Sequence, residues 1–188
     1  MEHTPAIVLR KSSWSETSLI ITWLTEGLGT VRTVARGARR PGSAFAGRID
    51  LFYEAEISLQ LSRRGDLHTL CEMGAVRTFD AGRAGSGGFY LAAYFAELAG
   101  TVAAPMHPAP EIFDLLRRGL AYVQKVPVGE VALKHFEREL CRILGVHDAG
   151  GEMSSQRALT ALCGSLPRSR TEAMAFFPPK NPLVESAG

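Results

Sequence analysis

The spacing of apolar residues changes once along this chain, at the glycine-rich segment DAGRAGSGG (residues 80–88), and that change fixes the class of fold. Before it, Leu51, Tyr53, Ala55, Ile57, Leu59 and Leu61 alternate with Phe52, Glu54, Glu56, Ser58 and Gln60. This is the pattern of a strand with one buried and one wetter face. After it, Phe89, Ala92, Ala93, Ala96 and then Ile112, Leu115, Leu116, Leu120 recur at helical spacing. Strands followed by helices, with small flexible residues between, make an α+β chain.

Five strands are expected before the switch: Ala6–Lys11, Ser18–Thr25, Thr30–Arg36, Asp50–Leu61 and Leu67–Arg77. Five short strands with a longer connection between the third and fourth suit a small closed barrel of the oligonucleotide-binding (OB) type. Pro41 with Gly37, Gly42 and Gly47 makes the 38–48 connection a loop rather than a helix. After the linker, helices are expected over Phe89–Val102, from Pro108 or Pro110 to Val123, and over Glu130–Leu144 with Gly145 past its end. The third helix should bury Val131, Leu133, Phe136, Leu140, Ile143 and Leu144. A shorter fourth, capped by Ser154 or Ser155, should stop before Gly164. The expected organisation is a barrel over 1–80, a linker over 81–88, a helical domain over 89–165 and a Pro-containing tail over 166–188.

Charge is unevenly placed. Residues 1–48 hold seven basic side chains against three acidic, and Gly29–Arg48 carries five arginines with no acid. On the third strand Arg32, Val34 and Arg36 share one face, while Val31, Thr33 and Ala35 share the other. Arg39 and Arg40 follow in the loop. Guanidinium groups present a planar fork of donors that matches phosphate oxygens, so a nucleic-acid backbone is the expected partner. The expected cationic track is Arg10, Lys11, Arg32, Arg36, Arg39, Arg40 and Arg48. Trp14, Phe45 and Phe52 are candidates for stacking on bases. Trp23, inside an apolar run, belongs to the core, and the alternation leaves open on which side Phe52 falls. Lys134, Arg138 and Arg142 recur at i, i+4, i+8 on the third helix, a basic stripe beside an apolar one.

Catalysis finds little support. Gly37-x4-Gly42 opens like a phosphate-binding loop but continues Ser-Ala where Lys-Ser/Thr is needed. There is no HExxH, no GxSxG and no CxxC. His135, Cys141, His147 and Cys163 are the right residue types for tetrahedral zinc, but their spacing matches no known pattern, so neither a metal nor another cofactor is expected. Three scattered cysteines fit a reducing cytoplasm. Without an apolar run approaching ~18 residues or a leader-like N-terminus, no membrane association is expected.

The order AIVLR, then WSETSLIITWLTEGLGTVRTVARGARRPGS, then FAG and a hydrophobic strand resembles the N-terminal domain of the RecO family of bacterial recombination mediators. GFYLAAYFAEL and FERELCRILG extend the resemblance, more loosely, to about residue 147. It implies a barrel joined to a helical domain, with binding of single- and double-stranded DNA and no nucleotide hydrolysis. It further implies annealing of strands coated by single-strand binding protein, and cooperation with RecR in loading recombinase, in a cytoplasmic, nucleoid-associated protein. By the same resemblance the helical domain receives the acidic, apolar-ended tail of single-strand binding protein, for which Lys134, Arg138 and Arg142 are the candidate contacts. The chain departs from the family where paired cysteines are usual, carrying instead His147-Asp148-Ala149-Gly150-Gly151. Two other readings fit the residues: an RNA-binding barrel, and an adaptor whose basic loop grips an acidic protein.

Overall fold

A computed structural model of the chain describes residues 1–79, 85–125, 128–146 and 154–178. The strands are β1 Glu2–Ser13, β2 Leu19–Thr25, β3 Gly29–Ala35, β4 Glu54–Gln60 and β5 Leu67–Arg77. They close into a barrel in the order β1-β2-β3-β5-β4, antiparallel except where β5 lies parallel to β3. Alternate side chains fill it: Ala6 and Val8 from β1, Ile21 and Trp23 from β2, Val31 and Ala35 from β3, Ile57 and Leu59 from β4. The buried indole of Trp23 would be costly without a partner. It donates to Thr33 Oγ1 at 2.8 Å, across the β2–β3 pairing.

The fourth strand is shorter than its alternation implies. Phe52 has φ +67°, so the chain turns there, and its N–H donates to the Val8 carbonyl. That turn sends the Phe52 ring out of the barrel, to lie edge-on to Phe89 with centroids 5.9 Å apart. Phe52 is therefore core between barrel and helices and is no platform for a base. The 38–48 connection is a chain of turns, with Ala38 and Ile49 closing the barrel end.

Helix α1 (Gly85–Val102) begins inside the expected linker, so Gly85–Gly88 are helical; the linker's 81–84 lie outside the described residues. Helix α2 (Pro110–Val123) starts on its proline, which has no N–H to leave unsatisfied. Helix α3 (Glu130–Ile143) ends at Gly145, whose φ of +66° suits a residue without Cβ. Helix α4 (Ser155–Cys163) is capped by Ser154, and a further helix, α5 (Ser169–Met174), stands inside the expected Pro-containing tail. The α3 stripe differs at two places: Val131 is 79% exposed, while Glu137 is 2% exposed. Glu137 tolerates burial because its Oε1 accepts the Tyr94 hydroxyl and the Arg170 Nε, each at 2.7 Å, tying α1, α3 and α5 together. Burial first, and the Glu137 carboxylate second, push the Tyr94 phenol far above its ordinary range, so it stays a donor.

The barrel and helices share a core. Ile7, Leu24 and Phe52 are buried in the same cluster as Leu91, Phe95 and Leu116. At the β2–β3 turn Gly29 has φ +59°, and a Cβ there would run into the carbonyl oxygens of Ala104 and His107.

Candidate nucleic-acid interface

The outer face of β1-β2-β3 is organised in rows by strand register. Ile7, Leu24 and Thr30 form a row covered by the helices, with the Thr30 hydroxyl donating to the Ala103 carbonyl. The next row is Arg10, Thr22 and Arg32, and beyond it lie Ser12, Ile20 and Val34. As the alternation requires, Arg32 is exposed on the outer face while Val31, Thr33 and Ala35 are buried; Val34 shares the Arg32 face but is itself only 7% exposed.

Past the last row opens a groove of about 890 Å³. Val34 and Thr69 form its floor, the β1–β2 turn with Trp14 one wall, and the β4–β5 connection from Gln60 to Arg63 the other. Arg36, Arg40 and Arg63 line it, and no acid does. All three are exposed and make no ion pair among the described residues. Trp14 is 61% exposed. The wall is fixed to the loop beside it: the Arg39 N–H donates to the Thr17 carbonyl at 2.9 Å, and the Gly37 N–H to the Ser18 hydroxyl at 3.2 Å. Cations and an aromatic along an open groove are the parts that a phosphate backbone and an unstacked base require.

The structure sorts the seven expected cations. Arg36 and Arg40 line the groove, and Arg39 lies beside it, reaching Ser13 Oγ at 3.4 Å. Arg10 sits on the same outer face, in the row of Thr22. Three others are already engaged. Lys11 pairs with Asp50 at 2.7 Å and Arg32 with Asp66 at 2.8 Å, acids from connections distant in sequence. The Arg32 bond holds the Asp66 carboxyl below the usual carboxylate range; at Asp50 burial opposes, and the Lys11 bond and charge together with the Leu51 N–H outweigh it. Arg48 is a structural clamp, donating to the carbonyls of Ala44, Met73 and Gly74 and so tying the loop to β5. Phe45 is half-buried against the barrel core, which leaves Trp14 as the exposed stacking candidate.

Arg63 is the residue that the charge census passes over. It stands in Arg63-Arg64-Gly65-Asp66, readable as a turn, and only barrel closure carries it to the groove. The signal was the double arginine between the fourth and fifth strands, a connection that contributes to binding in OB barrels.

In the helical part an apolar groove of about 280 Å³ lies between α2 and α3, lined by Phe95, Leu115, Gly119, Tyr122, Val131 and Phe136. Arg118, His135 and Arg138 also line it. Of the expected stripe, Lys134 pairs with Glu130 at 2.8 Å and Arg142 with Glu139 at 3.1 Å. Arg138 has no ion pair among the described residues and faces the groove. Of the zinc-type residues, Cys141 is buried with its thiol toward the Ser155 carbonyl, and His147 lies outside the described residues. Among the described residues no three His, Cys, Asp or Glu are placed to hold a metal, and no helix is long and apolar enough to cross a membrane.

The profile of the family described as "Recombination protein O N terminal" matches residues 1–79, the span of the barrel. The barrel is thus a RecO-type N-terminal domain. It is 33% identical over 140 residues to the DNA repair protein RecO of Anaeromyxobacter dehalogenans, covering 74% of this chain and 55% of that protein. Against the DNA repair protein RecO of Rhodopirellula baltica it is 31% identical over 169 residues, 85% of this chain and 62% of the other. Against that of Xanthomonas campestris pv. campestris the figures are 32% over 160 residues, 81% and 64%. The chain thus spans between about half and two thirds of the length of these RecO proteins.

Proposed function

We propose that this chain is a RecO-family DNA repair protein that binds single- and double-stranded DNA along the outer face of its barrel and anneals complementary strands, acting by binding and without catalysis. The observation that carries the reading is the acid-free groove, where Arg36, Arg40 and Arg63 converge beside an exposed Trp14. Guanidinium groups hold the backbone of each strand without reading sequence. Neutralised strands no longer repel, and bases that are not buried remain free to pair.

The proposal extends to partners. The apolar groove between α2 and α3, bordered by Arg118 and Arg138, has the chemistry to receive the acidic, apolar-ended tail of single-strand binding protein. Docking there would bring the barrel to coated DNA and, with RecR, assist recombinase loading in a nucleoid-associated complex. Arg138 is the contact favoured over Lys134 and Arg142, whose charges neighbouring glutamates already meet.

The test is annealing of two labelled complementary strands by the full chain, with a chelator present and without nucleotide. DNA and RNA of the same sequence are compared in parallel binding measurements. Accelerated annealing with DNA preferred supports the reading. A preference for RNA would make it an RNA-binding barrel, and failure to bind either would leave the adaptor.

A further inference from the structure

Arg63 reaches the groove on a segment held at three points. The Ser62 N–H donates to His68 Nδ1 at 3.1 Å, the Ser62 hydroxyl accepts the Arg64 N–H at 3.2 Å, and Asp66 takes the Arg32 guanidinium at 2.8 Å. The second and third bonds lie in solvent, where water replaces them at little cost. The first ends on a ring that is 5% exposed, beside Thr33 in the β3–β5 register. Of the three it alone ties the segment to a buried group, so this bond sets where the segment sits.

For Nδ1 to accept, the ring must be neutral with its hydrogen on Nε2. Burial favours that state, moving His68 below its ordinary range against the smaller pull of Asp66.

We infer that His68 is a positioning residue for nucleic-acid binding: its neutral imidazole holds Ser62, and through it Arg63, in the groove, and protonation of the ring withdraws that phosphate contact. A protonated ring presents N–H to N–H, donor against donor, so the segment must shift. Few charges face the ring to compensate. Asp66 follows on the same segment and is held by Arg32 of β3. Across the cavity of about 390 Å³ that His68 lines, the α1–α2 connection contributes Pro105 and Met106, which are uncharged. The consequence opposes simple attraction. Added positive charge should tighten DNA binding as pH falls, whereas loss of the Arg63 contact weakens it.

The inference rests on the groove being the nucleic-acid site. The test is fluorescence anisotropy with the full chain and a labelled oligothymidylate about 16 nucleotides long, from about pH 7.5 to about pH 5.5 at fixed ionic strength. At the upper pH Arg63→Ala should weaken binding about fivefold, His68→Leu should match it, and the double variant should be no weaker than either. Wild-type affinity should fall toward the Arg63→Ala value on acidification, while Arg63→Ala itself does not weaken. His68→Asn, whose Oδ1 accepts in place of Nδ1 and does not titrate, should bind at both pH values as tightly as wild type does at the upper one. If His68→Asn loses affinity on acidification as wild type does, or if the two single losses multiply, His68 is only core and the inference fails. Should His68→Leu not fold, the acid profiles of wild type, Arg63→Ala and His68→Asn decide alone. Arg36→Ala with Arg40→Ala separates the two levels. Unchanged binding in that variant overturns the groove itself, whereas weakened binding with Arg63→Ala unaltered overturns only the role of His68.

Discussion

Replacing Arg36 and Arg40 by alanine should change how DNA binding responds to salt far more than replacing Lys11 and Arg32, although all four are basic residues of the first forty. The groove presents three guanidinium groups with no acid between them. Each phosphate neutralised on a single strand contributes about −0.7 to the slope of log affinity against log salt. Three contacts give about −2, so raising salt from about 50 to about 200 mM should cost the wild type roughly twentyfold in affinity. Removing Arg36 and Arg40 leaves one groove contact, a slope shallower by about 1.4 and a loss of only about threefold over the same range. Lys11 and Arg32 already neutralise Asp50 and Asp66, so their removal subtracts no unpaired charge from the proposed DNA-binding surface. Their double alanine variant should keep the wild-type slope. Anisotropy titrations with labelled single-stranded DNA at four or so salt concentrations read both slopes directly. If Lys11→Ala with Arg32→Ala flattens the slope as much as the groove variant does, the ion pairs open to receive DNA and the sorting of cations argued above is wrong.

Three further outcomes follow from the framework. Arg170→Met leaves the buried Glu137 with only its Tyr94 partner and should cost about 3 kcal/mol in urea denaturation; adding Glu137→Gln should recover a large part of this, and no recovery would mean the pair is not the cause. Gly29→Ala forces a side chain into φ +59° against two carbonyls, so a loss of at least about 2 kcal/mol is expected, and a variant as stable as wild type would show the turn moves freely. Asp114 is held below the ordinary carboxylate range chiefly by Arg117 and then Arg118. Its stabilising contribution is therefore present above about pH 4 and lost as pH falls through the lowered value, so Asp114→Asn should flatten stability against pH in that acid window, by less than about 1 kcal/mol for so exposed a pair.

The elements were legible where one physical signal acts alone. Alternation marked the inward faces of β3 and β4, and helical spacing with a proline start marked α2. The misses fall where a distant residue decides the outcome. The fourth strand starts later than expected because the Phe52 N–H finds the Val8 carbonyl and its ring finds Phe89. Glu137 can be buried because Arg170, on a helix that no pattern announced, supplies its countercharge. The acid-free run of arginines places Arg36 and Arg40 at one groove on the outside of the barrel. It gave no hint that Asp50 and Asp66 would fold back on two of the expected cations, or that Arg48 would spend its donors on backbone carbonyls. Charge counted along the chain is not charge summed in space.

One departure from alternation carries structural meaning of its own. Ala6-Ile7-Val8-Leu9 and Leu19-Ile20-Ile21 with Trp23-Leu24 are almost continuously apolar, unlike β4. A strand with one wet face has no use for such a run; a strand covered on both faces does. Here Ala6, Val8, Ile21 and Trp23 point into the barrel, while Ile7, Leu9 and Leu24 pack against the helices, with the Leu9 side chain against Gly100 of α1. Burying Ile7, Leu24 and Phe52 contributes on the order of 5 to 8 kcal/mol, comparable to the whole stability of a small domain. The helices are therefore the second wall of the barrel's core as well as the proposed docking site for a partner tail. Because that wall covers one end of the β1-β2-β3 face, the exposed remainder of the face is the end where Arg36, Arg40 and Trp14 stand, and the site follows from what the core has to cover.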